Sequence, residues 1–274
     1  MAGAAAAPSQ EQMEFTVVRS AEDGCEPTCP EWIFAQGPIT SQSDDRLKKL
    51  LRKLGKRRLP IIINSPGGDV DAAIAMGRAI RAAGLDIAVG ATAFVRCAPS
   101  ETKCQGNKGR GADYFGFAGS IGAYCNSACP LVLAGGAHRI AEPFASIGLH
   151  QVTTTFRKTK VLYQERYKTV NGRKKVISKK VLRRENAGSY KVYEMDKKIE
   201  GRLRAYLKEM GVDGYIVDIM KQTSADKIDF VSQVVAEANR LIEPDGKLNM
   251  LVGAQLCRSV PASSNCRLIT TSDL

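Results

Sequence analysis

Histidine is nearly absent from this sequence, with two residues in 274, and acids are outnumbered, 28 Asp and Glu against 40 Lys and Arg. So few histidines confine any imidazole chemistry to His138 and His150. They also weigh against zinc, because the Cys-x3-Cys couples Cys25/Cys29 and Cys125/Cys129 have no nearby histidine to complete a ligand set. No metal and no cofactor is expected. Long apolar runs are missing too, so no segment reads as a membrane span, and residues 1–8 lack the charged-then-apolar order of a secretory signal.

What the chain does have is enough apolar residue, 44%, to bury one large core or one domain with insertions. Its eight cysteines fall in close couples: Cys25 with Cys29, Cys97 with Cys104, Cys125 with Cys129 and Cys257 with Cys266. An even count in tight couples suits an oxidising compartment, where each couple closes a small loop, against the alternative of reduced, buried thiols. An exported, periplasm-like location is therefore expected. The net charge of +12 calls for an acidic partner, but it is uneven along the chain.

In chain order, residues 1–30 read as a mostly irregular N-terminal extension. Trp32-Ile33-Phe34-Ala35 reads as a strand running into a turn. Ser43 is placed to cap a helix with Asp44 and Asp45 in its first turn, Leu47, Leu50, Leu51 and Leu54 along one face, and Gly55 as its stop. Pro60-Ile61-Ile62-Ile63 has the continuous apolar character of a strand buried on both faces. Asn64-Ser65-Pro66-Gly67-Gly68 follows it, then a helix from Val70 to Gly84 and a strand over 85–95, which together spell a parallel β-α-β unit. The Gly67-Gly68 pair is either a tight turn into a helix or a place where backbone N–H groups approach a substrate carbonyl. Residues 96–123 form an excursion whose base Cys97 and Cys104 can close.

The organising stretch runs from Cys125 to Gln151. Asn126-Ser127-Ala128 sets a serine among small residues before the apolar Leu131-Val132-Leu133, the place for a nucleophile at the start of a short buried helix. Ile147-Gly148-Leu149 is a short strand that ends on His150, where a base can stand. Taken alone, Ser127 reads as a helix cap and His150 as a core histidine. His138, beside Arg139, reads as structural.

These three stretches, Asn64-Ser65-Pro66-Gly67-Gly68, Asn126-Ser127-Ala128 and Ile147-Gly148-Leu149-His150-Gln151, resemble in order and spacing the motifs of the Clp protease proteolytic subunit, and more distantly the crotonase-like superfamily with its signal peptide peptidases. The resemblance covers about residues 31–151, with a fainter match near 190–242. It implies an α/β, crotonase/ClpP-like spiral fold with a mostly parallel sheet. It also implies a serine endopeptidase in which Ser127 attacks, His150 takes its proton, and the Gly68 and Ala128 N–H groups hold the oxyanion. The family's third member lies just before a late strand; Asp226 is the choice there and Asp229 the alternative. The family lacks the 96–123 excursion, which bears on substrate access.

Beyond His150, residues 153–184 carry twelve Lys and Arg against the single acid Glu165. Asn171-Gly172 between apolar-polar alternations signals a two-residue hairpin turn, and the basic hairpin is assigned to 152–184. It suits self-association or an anionic membrane surface. Thin aromatic interleaving disfavours nucleic acid. Val192 to Met210 reads as an amphipathic helix, handle-like in the resembled family, within 190–210. The domain is thus expected to span 31–242, with a clipped tail over 243–274. The chain is read as a peptidase acting on peptide or protein as a homo-oligomer, with no ATP-driven unfoldase partner in an oxidising space. The alternatives are a non-catalytic scaffold of the same fold and, more weakly, an acyl-CoA hydratase or hydrolase.

Overall fold

The computed structural model describes residues 12–95, 97–101, 104 and 112–269, with the side chains of all but 154–157. The strands and helices follow in order as β1 (Glu14–Ser20), β2 (Thr28–Gln36), α1 (Ser43–Leu54), β3 (Ile61–Asn64), α2 (Val70–Ala83), β4 (Ile87–Val89), β5 (Ala91–Phe94), β6 (Tyr114–Gly119), β7 (Tyr124–Asn126), α3 (Cys129–Ala134), β8 (Arg139–Ala141) and β9 (Ser146–Leu149). After these come β10 (Thr154–Val170), β11 (Arg173–Val192), α4 (Lys197–Glu209), α5 (Tyr215–Gln222), β12 (Asp229–Phe230), α6 (Gln233–Ala238), α7 (Asn249–Val252) and β13 (Cys266–Leu268). This is the expected α/β fold with a large, mostly parallel sheet.

That sheet runs β5-β6-β1-β2-β3-β4-β8, with β13 added to the start of β2. The pairs β1/β6, β2/β3, β3/β4 and β4/β8 are parallel; β1/β2, β5/β6 and β13/β2 are antiparallel. β5 starts one residue after β4 in the chain yet lies several strands away in hydrogen-bond order, so the sheet must coil until its ends approach. Gly90 makes that crossing: its N–H donates to Ile63 O at 3.0 Å, and a Cβ there would meet Ile62 Cγ2 at 2.9 Å. The strand expected over 85–95 is accordingly two strands.

Period-two alternation sends the strand side chains into two cores. Ile33, Ile61, Ile63, Ile87 and Val89 face the helices α1 to α5, while Trp32, Phe34, Ile62 and Ala88 face Leu248, Leu251 and Val252. Both faces of the central strands are dry, as their unbroken apolar runs require. α4 is pinned from below by Tyr206, fully buried, whose hydroxyl donates to Leu131 O at 2.6 Å.

All four expected couples are cystines, Cys25–Cys29, Cys97–Cys104, Cys125–Cys129 and Cys257–Cys266. No helix among the described residues is long and apolar enough to cross a membrane. The N-terminal region differs from expectation. Glu14-Phe-Thr-Val-Val-Arg-Ser is a strand between β2 and β6, buried because its β-branched residues fit a two-sided sheet. Residues 1–11 lie outside the described part.

Ser43 is the first helical residue rather than the cap; its hydroxyl turns back to accept from Thr40 N at 2.9 Å. Gly55 and Gly84 end their helices with φ of +61°, as placed. The 96–123 excursion contains β6, so its irregular part is shorter than expected; residues 96, 102, 103 and 105–111 lie outside the described part. The hairpin turns at Asn171-Gly172, both at positive φ, but its strands are longer than expected and continue to Val192. The helix that follows therefore starts at Lys197.

Candidate active site

A second, small sheet, β12-β9-β7, carries the candidate site. β7 and β9 run parallel in the register Tyr124↔Ser146, Cys125↔Ile147 and Asn126↔Gly148, and the Ser127 N–H donates to Gly148 O at 2.8 Å. This register sets Ser127 and His150, the residues that follow the two strands, at the same edge. A bridge between Ser65 and Cys125 joins the end of β3 to β7, so the Gly67-Gly68 turn arrives there as well. Three strand ends converge on one point, and in sheets of this kind ligands bind beyond the carboxyl ends of the strands.

Ser127 has φ of +61°, a left-handed conformation that costs a non-glycine residue about 1–2 kcal/mol. The surrounding contacts impose it. The Cys125–Cys129 cystine spans the turn with its Cα atoms 5.1 Å apart, and both cysteines are fully buried. Gly67, at φ +90°, lies so close that a Cβ would stand 2.6 Å from Ser127 Cβ and 2.8 Å from Ala128 N. Ser65 braces this glycine turn, donating to Gly37 O at 2.8 Å and accepting from Gly67 N at 3.1 Å. Gly68, at φ +142°, presses on the Ile39 backbone where no side chain would fit. Strain held in this way is a mark of functional turns.

Ser127, Ala128, Gly68 and His150 line one cavity of about 110 Å³, together with Val70, Gln151, Val152, Thr153 and Met220. The Gly68 and Ala128 N–H groups have no acceptor among the described residues. Gly68, Val70, Val152 and Thr153 also line a groove of about 530 Å³ that extends past Asp69, Asp71, Asp196, Lys198, Ile199 and Arg202. Across it Arg202 bridges α4 to Asp71 of α2 at 2.5 Å, while Asp69 and Asp196 cap those helices.

His150 is held from its carboxyl side: Gln151 N donates to Thr223 O at 3.0 Å, Gln151 Nε2 donates to Lys221 O, and Gln151 Oε1 accepts from Met195 N. Its Nδ1 is buried and has no hydrogen-bond partner among the described residues, nor has the buried Oδ1 of Asn126. Such orphans cost about 1–3 kcal/mol each; buried atoms of Glu31, Arg46 and Arg139, away from the cavity, are in the same position.

Asp226 does not line the cavity. It is exposed, and hydrogen bonds from the Ser224 side chain and its own amide hold its carboxyl below the usual range. Asp229 pairs with Leu149 and is likewise exposed. By that register the residue across from His150 is Ile228, whose Cγ2 packs where a Gly148 side chain would be, as does Asn126 Oδ1. Gly148, Asn126 and Ile228 are the contributors that sequence reasoning left unassigned; only the strand pairing shows them. His138 stands elsewhere, with Nδ1 2.7 Å from Asp86 Oδ1, and this contact raises its pKa above the ordinary value.

No family model matches the sequence, and no curated protein matches it. Among solved structures, the chain is similar to the 1510-N membrane-bound stomatin-specific protease, at 17% identity over 86% of this chain and 89% of that one, with a TM-score of 0.43. It is similar to that protease in complex with a substrate peptide at 16% identity over 77% and 71%, TM-score 0.41. ClpP1 from Listeria monocytogenes follows at 13% identity over 76% and 86%, TM-score 0.40. These are likenesses of fold.

Proposed function

We propose that the protein is a serine endopeptidase. In this reading Ser127 Oγ attacks the scissile carbonyl carbon while His150 Nε2 takes the hydroxyl proton. The negative oxygen that forms accepts hydrogen bonds from Gly68 and Ala128 N–H. His150 then returns the proton to the leaving amine, and a water activated by the same imidazole releases the acyl group from Ser127. The supporting observation is the strained Ser127 turn, set in one cavity with His150 and two unsatisfied backbone donors. The adjoining groove has the size to seat an extended peptide.

Asp226 enters as the orienting carboxylate. To reach the orphan Nδ1 of His150 it must leave Ser224, and Asp229 is the alternative. A second reading, a scaffold that keeps the fold without turnover, draws on the same orphan, since no carboxylate among the described residues hydrogen-bonds His150 Nδ1.

The test is hydrolysis of a quenched-fluorescence peptide library and of unfolded protein, with acyl-CoA thioesters alongside. The wild type should cleave peptides, and Ser127→Ala should cleave none. Asp226→Asn should lower the rate less than His150→Ala. Peptide cleavage that survives Ser127→Ala overturns the assignment, and no cleavage by a folded, cystine-intact wild type favours the scaffold.

A further inference from the structure

β10 and β11 form a ribbon about 50 Å long, at roughly 3.3 Å per residue, that pairs with itself and packs substantially against no other element. From 158 to 191 nearly every residue is exposed. A two-stranded ribbon with no covering layer is marginal in water. What covers this one can be read from its two faces.

Cross-strand partners share a face. The pairs Lys160↔Glu185, Leu162↔Arg183, Gln164↔Lys180, Arg166↔Ser178, Lys168↔Lys175 and Val170↔Arg173 make one face. On it, Arg166, Lys168, Arg173, Lys175 and Lys180 form no ion pair among the described residues, Lys160 stands across from Glu185, and Arg183 meets Glu185 at 2.9 Å. The opposite face carries Val161, Tyr163, Tyr167, Val176 and Val181, with Tyr167 52% exposed, and between them Glu165, Lys174, Lys179 and Arg184. Contacts on that side agree with the assignment: Lys179 Nζ lies 3.9 Å from the Tyr163 ring centre, Tyr167 donates to Glu165, and Lys179 pairs with Glu165.

We propose that this ribbon docks on an anionic lipid bilayer surface, its tyrosine-valine face lying in the headgroup layer and its lysines and arginines reaching lipid phosphates. An amphipathic element with a cationic face and an aromatic, aliphatic face has the character of an interfacial segment; tyrosine favours that depth, and long basic side chains bend back to the headgroups. A single occupant then answers both faces. A nucleic acid duplex would answer the lysines and arginines of one face and leave Tyr163, Tyr167 and the valines of the other in water. A second copy packed on the apolar face would leave the cations unanswered and bring two basic ribbons together.

The experiment uses the full chain and vesicles of phosphatidylcholine, alone or with an equal part of phosphatidylglycerol, in co-sedimentation. Binding should need the anionic lipid and weaken steeply as salt shortens the Debye length from about 14 Å to about 4 Å. Replacing Arg166, Lys168, Lys175 and Lys180 with Gln should weaken it ~10²- to 10³-fold. Tyr163→Trp should shift its emission to the blue on binding and be quenched by brominated acyl chains, which reports the apolar face without a destabilising change. Circular dichroism and cystine mapping confirm that each variant is folded.

Equal binding to neutral vesicles overturns the proposal, as does full binding by the four-glutamine variant or an indole probe in Tyr163→Trp that stays in water. Tighter binding to duplex DNA than to the anionic vesicles transfers the basic face to nucleic acid. Self-association in sedimentation velocity that is lost in Tyr163→Ser with Tyr167→Ser, without vesicle binding, assigns the apolar face to a second copy. Either result refutes the lipid assignment.

Discussion

Removing the cystine that spans the Ser127 turn should uncouple activity from stability. In Cys125→Ala with Cys129→Ala, the lost bridge closed a loop of five residues, a sequence separation of 4. Loop-closure entropy puts that at about 2 kcal/mol, and the two buried sulfurs add about 1–2 kcal/mol. At ~2–4 °C per kcal/mol for a chain of this size, melting should fall by about 6–16 °C and still leave a folded protein at room temperature. The site should suffer differently. Ser127 holds a φ of +61° that costs about 1–2 kcal/mol when nothing imposes it, so once the bridge is gone the turn relaxes and the competent conformer becomes the minor one. Labelling by a fluorophosphonate, read well below the melting transition, should slow ~5- to 30-fold.

The control is Cys257→Ala with Cys266→Ala, which opens a loop of ten residues, a separation of 9, and costs about 3 kcal/mol by the same estimate. That pair lies in the tail, away from the cavity, and labelling should persist. If the 125/129 variant labels at the wild-type rate, or the 257/266 variant loses labelling equally, the cystine does not hold the Ser127 turn.

Three further outcomes follow from single contacts. Gly67→Ala would place a Cβ 2.6 Å from Ser127 Cβ at a φ of +90°, so labelling should fall at least tenfold while circular dichroism keeps the wild-type shape. Tyr206→Phe leaves Leu131 O without its buried donor, so the unfolding free energy should drop by about 1–3 kcal/mol, read as a lower urea midpoint with m unchanged. His138 has a folded pKa raised by Asp86 above its ordinary 6.5, so its contribution to stability is full below that value and fades as pH rises through the folded pKa. An NMR titration should place its midpoint above 6.5 and return it toward 6.5 in Asp86→Asn, with a small stability effect because the ring is 64% exposed.

Much of the fold is legible locally. α1 and α2 announce themselves by leucine and isoleucine spacing and by Gly55 and Gly84, and β3 by three consecutive isoleucines. Asn171-Gly172 gives the hairpin its turn because both positions need positive φ. The sheet order is not legible: β1 lies beside β6 and β4 beside β8, pairings between distant segments that nothing in either segment specifies alone. β1 hides among N-terminal residues whose composition reads as irregular, and β13 is a three-residue strand fixed largely by its partner β2. At the site, Ser127, Ala128, Gly68 and His150 sit in recognisable local patterns, and all four line one cavity. Asp226 is different, since the role of an orienting carboxylate depends on the β12/β9 register, and that register sets Ile228 across from His150.

The most direct measurement is mass mapping of the fluorophosphonate adduct on the folded, cystine-intact chain. A single adduct is expected on Ser127, none in Ser127→Ala, and a rate lowered by about 10⁴-fold or more in His150→Ala. An unlabelled Ser127, even after the 96–123 excursion is shortened to admit the probe, or a rate indifferent to His150, would contradict the Ser127 assignment.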